Sequence, residues 1–175
     1  GVGEGMQPLA SKAYGASQNG NATPAERIAA YDEIRHIRNK AIRTAIAASV
    51  LLFLFTIATA SFYPALYGYQ GDAAAAGYHA VMLTAAQLIF TGIVRVTNSF
   101  FYAVGKNRYS LFMIYFDPLC LTPAALAVLP HFFGTDGIWL TAVITQFLLN
   151  LVAAGMFVRH NAQMKREQAA LTKGV

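Results

Sequence analysis

Residues 78–105 read YHAVMLTAAQLIFTGIVRVTNSFFYAVG, and this stretch decides the fold of the chain. A bilayer-spanning helix needs only about 20 apolar residues, so the stretch is long enough to cross a membrane. At helical spacing its polar residues fall on one face while apolar residues cover the others. The sequence therefore predicts a membrane helix with one polar stripe, made of Thr84, Gln87, Thr91, Arg95, Asn98 and Tyr102.

Arg95 lies well inside this predicted span. Arginine at the centre of a membrane helix costs about 3 kcal/mol on insertion scales, so such residues usually face a bundle interior and often mark a transport path. The alternative is that the side chain snorkels to the interface. Arg95 is ~15 Å from the end of the stretch at Gly105, which favours an interior-facing guanidinium.

Composition places the chain among integral membrane proteins. Hydrophobic residues make up 56% and charged residues 12%, against about 25% charged in soluble domains, and the mean hydropathy is +0.43. Four apolar runs reach the spanning length, at 44–66, 78–105, 110–133 and 138–158. The predicted fold class is all-α, a polytopic helix bundle of four full spans plus the end of a fifth. Cys120 is the one cysteine, so no disulfide or thiol–metal cluster is expected.

The net charge of +5 reflects membrane topology rather than nucleic-acid binding. Lysine and arginine outside the spans fall in alternate connections and in the C-terminal tail, whereas residues 68–77 and 131–137 contain neither. By the positive-inside rule the basic side is cytoplasmic. We therefore expect a multi-pass protein of the cell (inner) membrane with a cytoplasmic C-terminus, lipid as its surroundings and no nucleic-acid partner.

The connections give the predicted domain organisation. Residues 1–15 look like the end of a truncated membrane helix, with glycines that allow close packing and a break at Pro8, beside Glu4 and Gln7; a disordered end is the alternative. Residues 16–43 form a cytoplasmic connection in which Thr23, Pro24 and Glu26 start an amphipathic helix. This helix leads into the next span or acts as a gate. Residues 44–158 hold the four spans, and 159–175 form a cytoplasmic tail.

Three motifs occur in a fixed order between the apolar runs: GVGEGMQPLASKAYGA at 1–16, YAVGKNRYS at 102–110 and LPHFFGTDGIWL at 129–140. Together they resemble the C-terminal lobe of the multidrug and toxic compound extrusion (MATE) family of efflux transporters. The resemblance implies twelve spans in two lobes, of which this chain covers the end of the eighth and the ninth to twelfth. The N-terminal lobe of the same protein is then a missing partner, and we expect the 175 residues alone to transport nothing.

The resemblance also implies the function. MATE transporters exchange a proton or sodium ion for a cationic, amphiphilic compound by alternating access, without a resident cofactor or metal. The candidate substrate or ion pathway is Glu4, Gln7, Gln87, Thr91, Arg95 and Asn98. The chain departs from the family pattern at Glu4, where many members have Gln, and near Thr91, where one branch has the acid of its sodium site. An acid at Asp117 is a local feature of this chain.

The remaining features favour structural roles. Tyr63, Tyr67 and Tyr69 are predicted to anchor the chain at the interface, with substrate stacking as the alternative, and Gln146 and Asn150 to bond between helices. Pro118 and Pro123 predict a kinked helix with freed carbonyl groups. No phosphate loop, metal-ligand cluster or catalytic triad pattern is present in the sequence, so an enzyme is not expected.

Three charges share one predicted depth, ~12 to ~15 Å from the cytoplasmic ends of their helices: Glu4, Arg95 and Asp117. The spans bearing Arg95 and Asp117 are joined by a short turn, which makes them antiparallel neighbours. We expect these two residues to form a buried charge pair, with Glu4 as the second choice for Arg95 and separate hydration in a cavity as the alternative. Two rival functions stay open: a lipid or oligosaccharide flippase of related fold, and a non-transporting membrane scaffold.

Overall fold

The computed structural model describes residues 1–173, with side chains through Thr172, and consists of helices and short turns over that range. The element bounds are α1 Val2–Ser17, α2 Pro24–Thr59, α3 Phe62–Leu66, α4 Gly71–Ala85, α5 Gln87–Ala103, α6 Asn107–Phe116, a π-helical turn Asp117–Leu121, α7 Thr122–Phe133 and α8 Thr135–Lys173. The predicted all-α class is confirmed.

Three helical segments are long and apolar enough to cross a membrane: α2, the continuous run Asn107–Phe133, and α8. The pair α4 and α5 becomes a fourth if the two helices form one bent span. These segments overlap the four predicted apolar runs, with three or four of them long enough to span. In α2 the side chains of Leu51, Leu54 and Phe55 are each more than half exposed, as expected of a surface that lipid or other protein covers.

Helix α2 joins the predicted amphipathic helix and the following span without a break. Thr23 begins it as predicted: the Thr23 hydroxyl accepts from the Glu26 N–H at 3.3 Å, and the Glu26 carboxylate accepts from the Thr23 N–H at 2.8 Å. These bonds satisfy amide groups that the first turn leaves without helical partners. Helix α2 ends at Thr59, and Pro64 lies in the separate short helix α3.

The helix predicted over 78–105 is present as two helices, α4 and α5, that count as one membrane-length span only if taken together. The chain is helical from Gly71, seven residues earlier, and it bends by 42° at Ala86 between α4 and α5. Neither proline nor glycine stands at the bend. The Thr84 hydroxyl donates back to the carbonyl groups of Ala80 and Val81 at 2.8 and 3.3 Å, a side-chain interaction that often bends helices.

Two compact units divide the chain. Unit 1 comprises 1–45, 95–113 and 151–175, and unit 2 comprises 46–94 and 114–150. In unit 1, Gly3 allows the close approach predicted for the N-terminal glycines: a Cβ there would lie 2.5 Å from the Ser99 Oγ. Gly1 and Gly5 make no such contact. Helix α1 continues through Pro8, so the predicted break at that residue is wrong.

The core of unit 1 is aromatic. Phe100 and Phe101 are fully buried, and their rings contact those of Phe157 and His160. Polar bonds then join α2 to α8: the Tyr31 hydroxyl donates to the Glu167 carboxylate at 2.6 Å. The first half of α2 is therefore packed against another helix rather than solvated on all sides.

His160 lies two residues beyond the predicted span 138–158 and is 2% exposed. Neither ring nitrogen has a hydrogen-bond partner among the described residues. The pKa of His160 is lowered to about 4, mainly by burial and then by the positive charges of Lys106 and Arg38, against the opposing effect of Glu167. The imidazole is therefore neutral at pH 7.

Candidate functional site

Unit 2 contains a polar pocket of about 350 Å³ between the π-helical turn, the start of α5 and the first half of α8. The pocket holds one charged side chain, the carboxylate of Asp117, among neutral polar and apolar groups. Small-molecule sites have volumes of about 300 to 1,000 Å³, so this pocket is at the small end of that range. Its lining consists of Gln87, Asp117, Thr122, Leu126, Ile138, Thr141, Ala142, Thr145 and Gln146.

The local sequence around Asp117 explains the π-helical turn. Pro118 and Pro123 lack N–H groups, so two bonds of the regular α-helical ladder cannot form. The Thr122 N–H donates instead to the Asp117 carbonyl, five residues back. The kink predicted from the two prolines is thus realised as one wider turn. Such π-helical turns occur frequently at functional sites.

Two side chains bond the Asp117 carboxylate. The Thr122 hydroxyl donates to Oδ1 at 3.0 Å, and the Gln146 amide donates to Oδ2 at 2.7 Å. Asp117 itself is half-buried and lines the pocket. The two bonds fix the orientation of the carboxylate.

The hydrogen bonds continue from Gln146 to α5. The Gln146 side-chain oxygen accepts weakly from the Thr91 hydroxyl at 3.5 Å. One turn further along α8, the Asn150 amide donates to the Phe90 carbonyl at 3.0 Å. Gln146 and Asn150 therefore bond between helices as predicted, and Gln146 also orients the acid of the pocket.

The structure brings three of the predicted site residues together in unit 2. Gln87 and Asp117 line the same pocket, and Thr91 reaches it through Gln146. The Thr91 hydroxyl also donates to the Gln87 carbonyl at 2.9 Å, within α5. The part of the predicted polar stripe that contains Gln87 and Thr91 therefore lies next to the Asp117 carboxylate.

The other four predicted residues belong to unit 1. Glu4 is exposed, and Gln7 is half-buried on α1. Arg95 is exposed, and Asn98 accepts from the Ser110 hydroxyl.

The predicted charge pair has one member in each unit, Arg95 in unit 1 and Asp117 in unit 2. Both Asp117 oxygens already accept hydrogen bonds from neutral side chains of unit 2, so the carboxylate has partners without the guanidinium. The pair stays a prediction. Its test is the double variant of Arg95→Ala and Asp117→Ala, which should recover part of the folded yield that each single variant loses.

The sequence reasoning missed most of the pocket wall. Thr141, Thr145 and Gln146 line it from α8, and the first two are buried. The spacing of four residues places Thr141 and Thr145 on one face of a helix, which was the available signal for these two. Among residues 1–173, no group of three or more His, Cys, Asp or Glu side chains is placed to hold a metal ion.

Comparisons with models of protein families, with curated proteins and with solved structures find no match for this chain. The likeness to MATE transporters therefore depends on the three ordered motifs and on the pattern of spans. A function has to be argued from the pocket around Asp117.

Proposed function

We propose that the chain is part of the C-terminal lobe of a cation-coupled membrane transporter of the MATE type. In this proposal the complete protein exchanges a proton or sodium ion for a cationic, amphiphilic compound across the cell membrane by alternating access. The missing lobe supplies the other wall of the central cavity. The motifs at 1–16, 102–110 and 129–140 support the family, and the apolar helices support the membrane location.

One observation carries the proposal: an oriented carboxylate, Asp117, in a polar pocket within otherwise apolar helices. Acidic residues inside membrane segments are costly, and they typically line ion or substrate pathways. A carboxylate is suited to exchange, because a proton, a sodium ion and an organic cation compete for the same negative charge. Binding one of them then displaces another, and differential binding is what shifts a transporter between its states.

The neutral groups of the pocket have a defined role in this exchange. Gln87, Thr141 and Thr145 offer oxygen atoms to a small ion or to the polar part of a substrate, while Leu126 and Ile138 contact its apolar part. Gln146 keeps the carboxylate oriented while its charge is neutralised. A pocket with one negative charge and a lining of both polar and apolar side chains selects for cations that carry apolar groups.

The test is cation binding by the purified 175-residue chain in lipid nanodiscs. We expect ethidium or tetraphenylphosphonium to bind, to be displaced by protons or by sodium, and to bind at least about tenfold more weakly to Asp117→Asn. A tenfold loss of affinity corresponds to about 1.4 kcal/mol. One charge-assisted contact, which the Asp117→Asn variant removes, contributes a free energy in this range.

Asp72→Asn is the matched control, because Asp72 is an exposed acid in the first turn of α4, outside the pocket. It should bind the cation like the unmodified chain. Equal binding by the Asp117→Asn variant would refute the role of Asp117. A membrane scaffold would bind neither ethidium nor tetraphenylphosphonium. From a flippase, the bound cation would be displaced by lipid or oligosaccharide headgroups instead of by protons or sodium.

A further inference from the structure

A second cavity lies in unit 1, between α1 and the middle of α2. It is an open groove of about 310 Å³ lined by Val2, Gly5, Met6, Leu9, His36, Ile37, Lys40, Ala41 and Thr44. Its floor is apolar, with side chains from both helices. The groove contains none of the residues assigned to the pocket around Asp117.

The groove lies where α2 changes from charged to apolar. Eight charged residues lie between Glu26 and Arg43, and from residue 44 to Thr59 the helix carries none. In a membrane such a change marks the boundary between water and hydrocarbon. The lining residue Thr44 is thus on the hydrocarbon side of the boundary, and His36 is ~12 Å away on the polar side.

The polar end of the groove is basic. His36 and Lys40 line it and are exposed, and Arg43 lies on nearly the same face of α2 as His36, seven residues earlier. Within the described part of the chain neither Lys40 nor Arg43 forms an ion pair with a carboxylate. No acid lines the groove. Glu33 lies on the same face of α2 as Lys40, but ~10 Å further from the apolar end of the groove.

We propose that this groove binds one anionic phospholipid, with the phosphate beside Lys40 and His36 and an acyl chain that runs along Ala41, Met6 and Gly5 toward Thr44. An apolar groove that ends in unpaired basic groups at a membrane interface fits this ligand in both shape and charge. Basic pockets between helices on the cytoplasmic side bind such headgroups in other membrane proteins. A protein partner would need an acidic side chain at the level of the lipid headgroups to pair with these basic residues. Anionic lipid already supplies negative charge at that level.

Gly5 allows a direct test of the acyl-chain position. It lines the groove, and a Cβ added there meets nothing within 4 Å. The variant Gly5→Leu therefore adds an apolar side chain at the groove whose first carbon meets no atom of the chain. Gly15→Leu is the matched control, because Gly15 is on the same helix, has the same open surroundings and does not line the groove.

The experiment titrates the purified 175-residue chain in detergent with phosphatidylglycerol and with phosphatidylcholine, and counts bound lipids by native mass spectrometry. We expect one phosphatidylglycerol to bind preferentially, and Gly5→Leu but not Gly15→Leu to lose it. Lys40→Ala should weaken binding about fivefold, the effect of one basic residue near an anionic headgroup. Lys165→Ala, an exposed lysine of α8 outside the groove, should leave binding unchanged.

Several results would overturn the proposal. Unchanged phosphatidylglycerol binding by Gly5→Leu would place the lipid elsewhere, and equal binding of phosphatidylcholine would remove the role of the charge. Displacement by inorganic phosphate alone would show an anion site without an acyl chain. Self-association of the chain that Gly5→Leu abolishes would identify the groove as a protein interface. If Gly5→Leu does not fold, Lys40→Glu decides, because it should lose the preference for phosphatidylglycerol.

Discussion

Gly137 is the position at which one added methyl group should do most damage. It is buried in the first turn of α8, directly after the turn at Gly134 that joins α7 to α8. A Cβ at this position would lie 2.5 Å from the carbonyl carbon and oxygen of Leu129 and 2.6 Å from the Pro130 nitrogen. These are backbone atoms, which cannot rotate away as a side chain does. Gly137→Ala therefore forces the two helices apart.

The size of the effect follows from the distances. Ordinary contacts between carbon atoms are about 3.5 to 4.0 Å, so the helices must separate by about 1 Å. Overpacking of this kind costs roughly 1 to 3 kcal/mol. Alanine has the better helix propensity by up to about 1 kcal/mol, which offsets part of this cost. We expect a net loss of about 1 to 2 kcal/mol, or about a fivefold to thirtyfold change in the folding equilibrium.

The measurement is reversible unfolding of the chain in mixed micelles of mild and denaturing detergent. Gly155→Ala is the control, since Gly155 also lies in α8 but a Cβ there meets nothing within 4 Å. That variant should be as stable as the unmodified chain or slightly more so. If Gly137→Ala unfolds at the same detergent ratio as Gly155→Ala, the close approach of α7 and α8 is not as described.

Three further predictions concern unit 1 and its surface. Tyr31→Phe should lose about 1 to 3 kcal/mol of stability, because it removes the donor to the Glu167 carboxylate, and the same detergent titration measures it. Thr23→Ala should cost about 1 kcal/mol by removing the cap of α2, seen as faster amide exchange in the first turn, whereas Thr172→Ala should not change it. The folded-state pKa of His160 is about 4, below its unfolded value of 6.5. Its contribution to folding stability is therefore present above pH 6.5 and is lost as the pH falls toward 4. Between pH 7 and pH 5 the chain should lose about 2 kcal/mol more stability than His160→Leu, and parallel pH profiles of the two would contradict this.

The sequence predicted the helices better than their shapes. The apolar runs and the cap at Thr23 located three or four membrane-length helices, because length, hydropathy and capping are local properties of the chain. The bend at Ala86 was not predicted, since no proline or glycine marks it. It accompanies hydroxyl bonds from Thr84 that compete with regular helix geometry.

The candidate site was predicted only in part. Gln87, Thr91 and Asp117 were selected by their polarity within apolar runs, and the structure places all three in or beside one pocket. Their partners Thr122 and Gln146 were assigned no role in the site, because a hydrogen bond between helices depends on how the helices are rotated against each other. Periodicity within one helix does not contain that information.

The sequence by itself determined an all-helical chain with membrane-length apolar segments, the cap that begins α2 and the placing of an acid within an apolar run. These depend on neighbours along the chain, and local rules of spacing and transfer free energy suffice for them. Only the tertiary structure decided that Asp117 is bonded by Thr122 and Gln146, and that α1 and α2 enclose a groove with a basic end. Both depend on which helix faces contact, and packing among distant residues fixes those faces.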